Sequence, residues 1–353
     1  MKPSFFSKKI ISWYSENKRS LPWRDTRDPY KIWLSEIILQ QTRVAQGLPY
    51  YLRFVETFPS VNHLAVASEQ SILRLWQGLG YYSRARNLHK CAQVIVTDYN
   101  SQFPSTFQQL QTLPGIGQYT AAAIASFSFQ EPVAVVDGNV FRVLSRVFGW
   151  DNDIASPEGK KFFFEKANEL IAKDAPDLFN QAIMEFGATH CTPKNPKCDD
   201  CIFSRNCVAH LNNLQNTLPV KSKKTKITHR YFYYLILHNK NKIALRERSE
   251  KDIWKGLYDF PLIEEKKKRK PEHVLKSSNW KNFSLAEIHG PVKHILSHQH
   301  LFTFFLVLKP NTQKWSDAST DKRAFKFYSA EQVGNLPKPI VVTRFLTEYG
   351  FLR

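Results

Sequence analysis

The amino-acid sequence predicts an all-α domain over residues 1–211 followed by a smaller α+β domain over residues 229–353. In the first part, apolar residues recur at the three- and four-residue spacing of amphipathic helices. Residues 212–228 are polar and basic and have no apolar periodicity, which predicts a linker. The last part carries β-branched and aromatic runs of strand length. A chain of 353 residues has room for roughly two such domains.

Helices are predicted in order along the first domain. Apolar side chains at helical spacing predict helices around residues 32–38, 72–79 and 140–147. A run of small residues over 121–126 predicts a further, closely packed helix. Proline and glycine residues fall between these stretches, so that the connecting loops are expected to be short.

The second domain has a different residue pattern, with strand-like apolar runs. Tyr231–Leu237 and Leu301–Leu308 have the length and composition of buried strands, and Lys242–Arg246 predicts a shorter one. Residues 264–282 predict a charged loop followed by a short helix. These elements together predict a smaller α+β domain.

Composition narrows the function classes. The 42% hydrophobic fraction excludes wholesale disorder, and the absence of an eighteen-residue apolar run argues against a membrane span. The N-terminus has lysines and no apolar core of a signal peptide, so we expect a cytoplasmic protein. Fifty basic residues against 31 acidic ones give a net charge of +19, which favours nucleic acid as a partner. The net charge is +4 over residues 1–215 and +15 over 216–353.

Four of the five cysteines fall within seventeen residues, with the spacing C-x6-C-x2-C-x5-C: Cys191, Cys198, Cys201 and Cys207. A cytoplasmic chain rarely uses such a cluster for disulfides, so that metal ligation is expected. Four thiolates suit either a tetrahedral zinc ion or a 4Fe–4S cube. The spacing alone leaves both alternatives open.

Two further features lie between predicted helices. Gly115 and Gly117 allow a sharp turn whose backbone N–H groups can face a phosphate at the start of the next helix. Asp137 precedes the helix around residues 140–147. It is either an ordinary N-cap or a carboxylate kept ionised by the helix terminus, able to stabilise a developing cation.

Several motifs together resemble the DNA glycosylases of the helix-hairpin-helix superfamily, in their iron–sulfur branch. LPGIGQYTA (113–121) is similar to the hairpin, and VVDGNVFRVLSR (135–146) to the segment with the catalytic aspartate. LPWRDTRDPYKIWLSEIILQQTRV and WQGLGYYSRARNLH resemble the adenine DNA glycosylases of the MutY type. The resemblance implies a 4Fe–4S cluster loop over 191–207 and, over 229–353, a Nudix-like domain that recognises 8-oxoguanine.

The same resemblance implies how the site works. Excision of a purine needs an acid that assists the leaving base and an anion that supports an oxocarbenium-like sugar. Glu36 is the expected acid, because its apolar helical surroundings should raise its pKa. Asp137 is the expected anion or nucleophile, and Tyr119 and Asn139 are expected to orient it.

The implied partner is double-stranded DNA that contains 8-oxoguanine·adenine mispairs, bound by a monomeric enzyme at the bacterial nucleoid. Gln41 and Tyr82 match residues inserted into the base stack. Gly115 and Gly117 would contact a DNA phosphate through a monovalent or divalent cation. In the C-terminal domain Ser297 and His298 match the 8-oxoguanine-reading loop, in which Leu296 replaces the usual phenylalanine. The expected lining of the adenine pocket is Arg19, Leu21, Trp23 and Arg24.

Two other interpretations of these motifs are an endonuclease III-type enzyme and a non-catalytic DNA-binding protein. Endonuclease III, a bifunctional glycosylase and lyase for oxidised pyrimidines, has a lysine nucleophile where this chain has Tyr119, which cannot form a Schiff base. A non-catalytic DNA-binding protein would not need Glu36 and Asp137 together. In the C-terminal domain, WKGLYDFPLIEE (254–265) resembles the start of a Nudix motif, but KKKRK follows it in place of the glutamates that bind magnesium. We therefore expect recognition without pyrophosphate hydrolysis.

Overall fold

The computed structural model describes residues 1–222, 227–280, 283–310 and 325–352. The chain divides into two compact units. The first consists of Met1–Val66 and Asn87–Lys223, and the second of Ala67–Arg86 and Lys224–Arg353. The second unit therefore includes a segment, residues 67–86, that lies inside the predicted helical domain. No helix of the described residues is long and apolar enough to cross a membrane.

The first unit is helical. Several of its helices begin at a side-chain cap: the Asp28 carboxylate accepts from the Tyr30 N–H at the start of α2 (Pro29–Leu39), and Ser156 accepts from the Gly159 N–H at the start of α10 (Pro157–Leu170). Helix α6 runs across the limit between the units. The bounds are α1 (Pro3–Asn17), α2 (Pro29–Leu39), α3 (Val44–Thr57), α4 (Val61–Val66), α5 (Glu69–Trp76, in the second unit), α6 (Ser83–Asp98), α7 (Phe107–Leu110), α8 (Gln118–Phe129), α9 (Gly138–Phe148), α10 (Pro157–Leu170), α11 (Pro176–Thr189) and α12 (Val208–Leu211).

Packing in the first unit brings three helix segments together. Residues 121–125 of α8, with the sequence AAAIA, are fully buried, and their small side chains let α2 approach closely. Helices α1, α9 and α11 share a core that includes Phe6, Val143 and Phe186. This arrangement directs the C-terminal half of α2, the first turn of α8 and the N-terminus of α9 toward one cavity.

The second unit is built on a mixed sheet with the strand order β3-β2-β1-β6-β5, in which β4 also pairs with β1 and β7 with β2. The central strands β1 and β6 are parallel, whereas β5 runs antiparallel to β6 at the edge. The bounds are β1 (Thr228–Asn239), β2 (Lys242–Glu247), β3 (Tyr258–Asp259), β4 (Leu262–Glu265), α13 (Pro271–Lys276), β5 (Phe283–Ile295), β6 (Gln299–Pro310), β7 (Lys326–Ser329), α14 (Ala330–Asn335) and α15 (Ile340–Glu348).

The structure confirms most of the elements that the sequence predicted, but the helix expected around residues 72–79 ends at Trp76. The helices expected around 32–38, 121–126 and 140–147 lie within α2, α8 and α9, and the three expected strands lie within β1, β2 and β6. Strand β5 was not predicted. Its burial pattern shows no alternation, since most of its side chains are exposed, and Gly290–Pro291 interrupts it at a register shift.

Candidate active site

One cavity of the first unit, with a volume of about 190 Å³, gathers most of the residues that the sequence singled out. Its walls come from α2, α8, α9, α11 and the loop before α2. Gln41, Tyr82, the hairpin glycines, Ser297 and His298 do not line it. The predicted residues that do line it are Arg19, Leu21, Trp23, Arg24, Glu36, Tyr119, Asp137 and Asn139.

Glu36 is a buried acid. Its helix α2 is apolar on nearly all sides, and the residue is only 7% exposed, which excludes an ordinary solvated helix glutamate. The Tyr119 hydroxyl donates to Glu36 Oε2 over 2.6 Å. Burial, reinforced by the charge of Asp137, raises the pKa of Glu36 to about 7 against the opposing effects of Tyr119 and Arg24. A large fraction of Glu36 is therefore protonated at neutral pH.

Asp137 is both the N-cap of α9 and a wall of the cavity. Its Oδ1 accepts from the backbone N–H groups of Asn139 at 2.9 Å and Val140 at 2.8 Å, while its Oδ2 accepts from Asn139 Nδ2 at 2.7 Å. Burial raises the pKa of Asp137 above its ordinary value, although these three hydrogen bonds and the charge of Arg142 oppose the shift. Asp137 thus caps α9 through Oδ1, whereas Oδ2 contacts the side-chain amide of Asn139.

Asn139 is held in place from behind. Arg142, one turn further along α9, donates from Nη2 to Asn139 Oδ1 at 2.8 Å and to the Gly187 carbonyl at 2.6 Å. Its Nε donates to the Cys191 carbonyl at 2.7 Å. The guanidinium is therefore fixed by three elements, and it fixes the amide that contacts Asp137.

A glutamate that the sequence analysis missed organises the opposite wall. Glu185 of α11 is buried and binds Arg19 through Nε at 2.6 Å and Nη2 at 2.7 Å, and Arg24 through Nη2 at 2.6 Å. Burial alone would raise the pKa of Glu185, but the two arginines outweigh it and lower this pKa to about 2. One acidic residue on an otherwise apolar helix face was the signal, as it was for Glu36.

The remaining wall is apolar. Leu21 and Trp23 are both less than a tenth exposed, and the Trp23 ring packs edge-on against Tyr51 with 5.1 Å between the ring centroids. Because Trp23 is fixed by this contact, its face is a rigid surface at the cavity. The site combines that surface with two arginines, Arg19 and Arg24, and with three carboxyl groups, those of Glu36, Asp137 and Glu185.

The two hairpin glycines have different roles. Gly115 has a φ of +77°, and a Cβ there would lie 2.6 Å from Asn87 Cβ, so a side chain is excluded for two reasons. Gly117 has an ordinary extended backbone, is the N-cap of α8, and meets no atom within 4 Å where its Cβ would stand. The backbone at Gly117 is therefore open to an approaching group.

The two adjacent tyrosines of GLGYYSR, Tyr81 and Tyr82, differ in their exposure. Tyr82, which the sequence analysis assigned to insertion into DNA, is only 6% exposed, and its hydroxyl accepts from the Gly78 N–H at 3.4 Å. A buried ring cannot enter a base stack without local unfolding, so Tyr82 does not fit that role. Tyr81 is 40% exposed and has a φ of +48°. Gln41, the other residue assigned to insertion, is also exposed, with a φ of +56°.

Ser297 and His298 lie at the tip of the hairpin between β5 and β6 and are both exposed. The Leu296 N–H donates to the Gln299 carbonyl at 2.8 Å and closes the turn. Within the same unit, the hydroxyls of Ser297 and Tyr81 form a hydrogen bond. The tip is thus joined to a segment more than two hundred residues earlier in the chain.

The four clustered cysteines line one cavity of the first unit. Three of their sulfurs face N–H donors: Arg146 Nη1 at 3.6 Å from Cys191, Gln215 Nε2 at 3.9 Å from Cys198, and the Phe203 N–H at 3.3 Å from Cys201. In the described ranges, no three His, Cys, Asp or Glu side chains converge as they would around a single metal ion. Four thiols around one cavity, three of which face N–H donors, fit a polynuclear group, since each iron of a 4Fe–4S cube takes one thiolate.

Two family models match the chain. Residues 34–172 match the HhH-GPD superfamily of base excision DNA repair proteins, and residues 232–348 match the NUDIX domain. The adenine DNA glycosylase of Buchnera aphidicola subsp. Schizaphis graminum is 34% identical over 346 residues, which cover 95% of this chain and 96% of that protein. The chain belongs to the adenine DNA glycosylase family. The rat adenine DNA glycosylase is 43% identical over 214 residues, 58% of this chain and 42% of its own length.

Solved structures give the same fold for the glycosylase part of this family member. A thermostable thymine-DNA glycosylase matches with a TM-score of 0.54 and 29% identity over 59% of this chain and 96% of its own. A non-covalent endonuclease III–DNA complex matches with a TM-score of 0.52 over 61% of this chain and 99% of its own, at 20% identity. This last likeness shows the fold alone. The sequence identity to adenine DNA glycosylases, 34% and 43% for the two relatives above, favours that family over endonuclease III.

Proposed function

We propose that this chain is a monofunctional DNA glycosylase of base-excision repair, which flips adenine out of duplex DNA and excises it where it is mispaired with 8-oxoguanine or guanine. The reaction is an acid-assisted hydrolysis of the N-glycosidic bond. One observation carries the proposal: Glu36 and Asp137 line the same cavity, and each carboxyl group is held by its own donors, Glu36 by the Tyr119 hydroxyl and Asp137 by the amide of Asn139 and the start of α9.

Glu36 supplies the proton. Its pKa of about 7 keeps the acid form available at neutral pH, and the Tyr119 hydroxyl holds Oε2 so that the carboxyl group keeps one orientation. Protonation of the adenine ring makes the base a better leaving group, because a protonated purine leaves as neutral adenine and an unprotonated one would leave as an anion. Tyr119 remains protonated throughout, since burial raises its pKa well above the ordinary value.

Asp137 supports the sugar. As the base leaves, positive charge develops on the deoxyribose, and Asp137 Oδ2 either stabilises it electrostatically or forms a transient bond before water attacks. Asn139 orients that oxygen through its 2.7 Å hydrogen bond. Arg142 in turn fixes Asn139, so that the anion is positioned before the substrate arrives.

Adenine must leave the base stack, which costs roughly a few kcal/mol. Gln41 and Tyr81, both exposed, are the residues we assign to filling the vacated space, Tyr81 in place of Tyr82. The flipped purine would lie against Leu21 and Trp23. Arg19 and Arg24, locked by Glu185, would present polar groups to its edge.

The DNA backbone would be held at the hairpin. The open backbone around Gly117 at the start of α8 suits a phosphate oxygen, approached directly or through a monovalent or divalent cation. Gly115 shapes the turn that presents it. The +15 net charge over residues 216–353 adds a sequence-independent attraction to the duplex.

Recognition of 8-oxoguanine is assigned to the β5–β6 tip. Ser297 is exposed and bonded to Tyr81, so that an inserted Tyr81 ring would bring the Ser297 hydroxyl toward the base opposite adenine. His298 lies beside it on the same tip. The NUDIX-type unit would act in recognition only, because KKKRK follows β4 where magnesium-binding glutamates would be needed.

Cys191, Cys198, Cys201 and Cys207 would hold a 4Fe–4S cluster. Burial raises the pKa of Cys201 to about 12, so metal binding must compensate for the cost of a buried thiolate. When bound, the cluster would supply four metal–thiolate links across the loop and a one-electron redox couple. Arg142 and Arg146 would join that loop to α9 through the Cys191 carbonyl and sulfur.

The test is incubation with duplex oligonucleotides that carry adenine opposite 8-oxoguanine, guanine or thymine, followed by alkali. Cleavage at adenine opposite 8-oxoguanine and guanine, and only after alkali, is expected. Strand cleavage without alkali, together with a covalent adduct trapped by borohydride, would instead support a lyase of the endonuclease III type. Release of no base from any duplex would contradict the proposal.

A further inference from the structure

The cysteine cavity contains a histidine to which the proposed function gives no role. His190 immediately precedes Cys191 and lines the same cavity as the four cysteines. Its Nε2 atom is buried, and it has no hydrogen-bond partner within the described residues. Buried polar atoms in proteins are nearly always paired, so that an unpaired one beside four metal-type ligands requires an explanation.

The His190 ring is held in one orientation. It stacks on Phe186 with 4.8 Å between the ring centroids and 19° between the planes, and Trp13 packs against it edge-on at 6.0 Å. These contacts fix the ring without satisfying Nε2. Three cysteine sulfurs already face N–H donors, so a further donor would extend an existing pattern.

We propose that His190 donates its Nε2–H to a sulfur atom of the 4Fe–4S cluster, either a sulfide or a cysteine thiolate. The inference rests on the cluster proposed above. Hydrogen bonds to cluster sulfurs stabilise the reduced, more negative state and so raise the reduction potential. His190 is then a positioning and tuning residue that acts through the cluster.

The experiment uses the full-length protein with 15N-labelled histidine and a cluster brought to its paramagnetic state by a chemical oxidant. Pulsed electron paramagnetic resonance should detect a 15N hyperfine coupling, which His190→Phe should abolish because phenylalanine keeps the stacking on Phe186 and lacks the nitrogen. The same variant should have a more negative midpoint potential. His190→Gln, which retains an N–H donor, should restore part of the shift.

A matched control is available in the same cavity. His210 also lines it, but its ring nitrogens are not among the buried, unpartnered atoms of the described residues. His210→Phe should leave the coupling and the potential unchanged. Equal effects from both variants would overturn the inference, since a general loss of polarity would then explain the shift.

Iron and sulfide analysis distinguishes a failure of the cluster proposal from a failure of the His190 assignment. If the protein contains no cluster, the cofactor proposal fails and the inference fails with it. If the wild-type protein contains four irons but shows no 15N coupling, only the assignment of His190 fails. If His190→Phe does not assemble its cluster, the absence of a coupling in the wild-type protein still overturns the assignment, and a coupling that persists in His210→Phe supports it.

Discussion

The cavity of the first unit and the β5–β6 tip of the second unit expose their polar side chains to very different extents. In the cavity of the first unit, Glu36 is buried and Asp137 is half-buried, and each carboxyl group is held by specific donors. In the second unit, Ser297, His298 and Tyr81 are exposed. One region thus changes the acidity of its side chains, and the other presents side chains to a large partner.

This difference has a physical basis. Proton donation at neutral pH needs a carboxyl group whose pKa is raised, and only burial raises that of Glu36 far enough. Recognition of a base inside a duplex instead needs an exposed side chain, because a buried side chain cannot contact the base. We therefore expect variants of the cavity to change the rate of base release, and variants of the exposed tip to change the choice of substrate.

The sharpest test of the comparison is Asp137→Asn. The amide keeps the size of the side chain but removes the negative charge that supports the sugar, so single-turnover base release should fall by at least about 10²–10³-fold. Binding to the mispaired duplex, measured by fluorescence anisotropy, should persist. Asp151→Asn, on an exposed aspartate, is the matched control and should release base normally.

Near-normal base release by Asp137→Asn would refute the role of this carboxylate. Loss of DNA binding in the same variant would mean that Asp137 acts mainly as the cap of α9. Circular dichroism distinguishes the two results, because an unstable helix would lower the melting temperature together with the activity.

The pH profile is the second test. Since the acid form of Glu36 is needed and its pKa is about 7, the rate of base release should be highest below pH 7 and fall about tenfold per unit above it. Glu36→Gln should be slower by roughly 10²–10⁴-fold and should lose this alkaline limb. A wild-type rate that rises through pH 7–8 would contradict the acid role.

Glu36 also couples pH to stability. Its native pKa lies above the value of 4.5 for an ordinary glutamate, so that the folded state binds more protons than the unfolded state between about pH 4.5 and 7. The free energy of unfolding therefore falls as the pH rises through this range. Glu36→Gln removes the buried charge and should stabilise the protein at pH 8 by up to roughly 3 kcal/mol. A melting temperature that is lower for the variant at pH 8 would contradict this reasoning.

Much of the fold could be predicted because burial leaves a pattern in the sequence. The central strands β1 and β6 are buried on both faces and appear as continuous apolar runs, and α9 shows a clear helical stripe. Strand β5 has no such pattern, because it lies at the sheet edge with both faces largely exposed. The grouping of residues 67–86 with the second unit depends on tertiary contacts that no local pattern encodes.

The candidate site was predictable to a similar extent. Glu36 and Asp137 stand in motifs whose neighbours identify them, and the structure brings both to one cavity. Glu185 was missed because its role depends on Arg19 and Arg24, more than 160 positions away. Tyr81 was missed in favour of Tyr82 because adjacent residues share a motif, and only the backbone conformation decides which ring is exposed.

The two tyrosines provide the third test. Tyr81→Ala should weaken binding to the mispaired duplex by about tenfold or more, because stacking of an aromatic ring on a base contributes roughly 1–3 kcal/mol. Its melting temperature should be close to that of the wild-type protein. Tyr82→Ala should instead lower the free energy of unfolding by roughly 3 kcal/mol, since it leaves a cavity in the core. The opposite pattern would restore Tyr82 as the inserted residue.

The smallest expected effect concerns the exposed tip. Ser297→Ala combined with His298→Ala should reduce the preference for 8-oxoguanine·adenine over guanine·adenine by about fivefold, because the loss of one hydrogen bond costs roughly 1 kcal/mol. Base release opposite guanine should be unchanged, since the cavity with Glu36 is intact. Ser284→Ala, on an exposed serine of β5, is the control. Equal losses on both duplexes would show that the tip contributes to general DNA affinity and does not discriminate between the two bases.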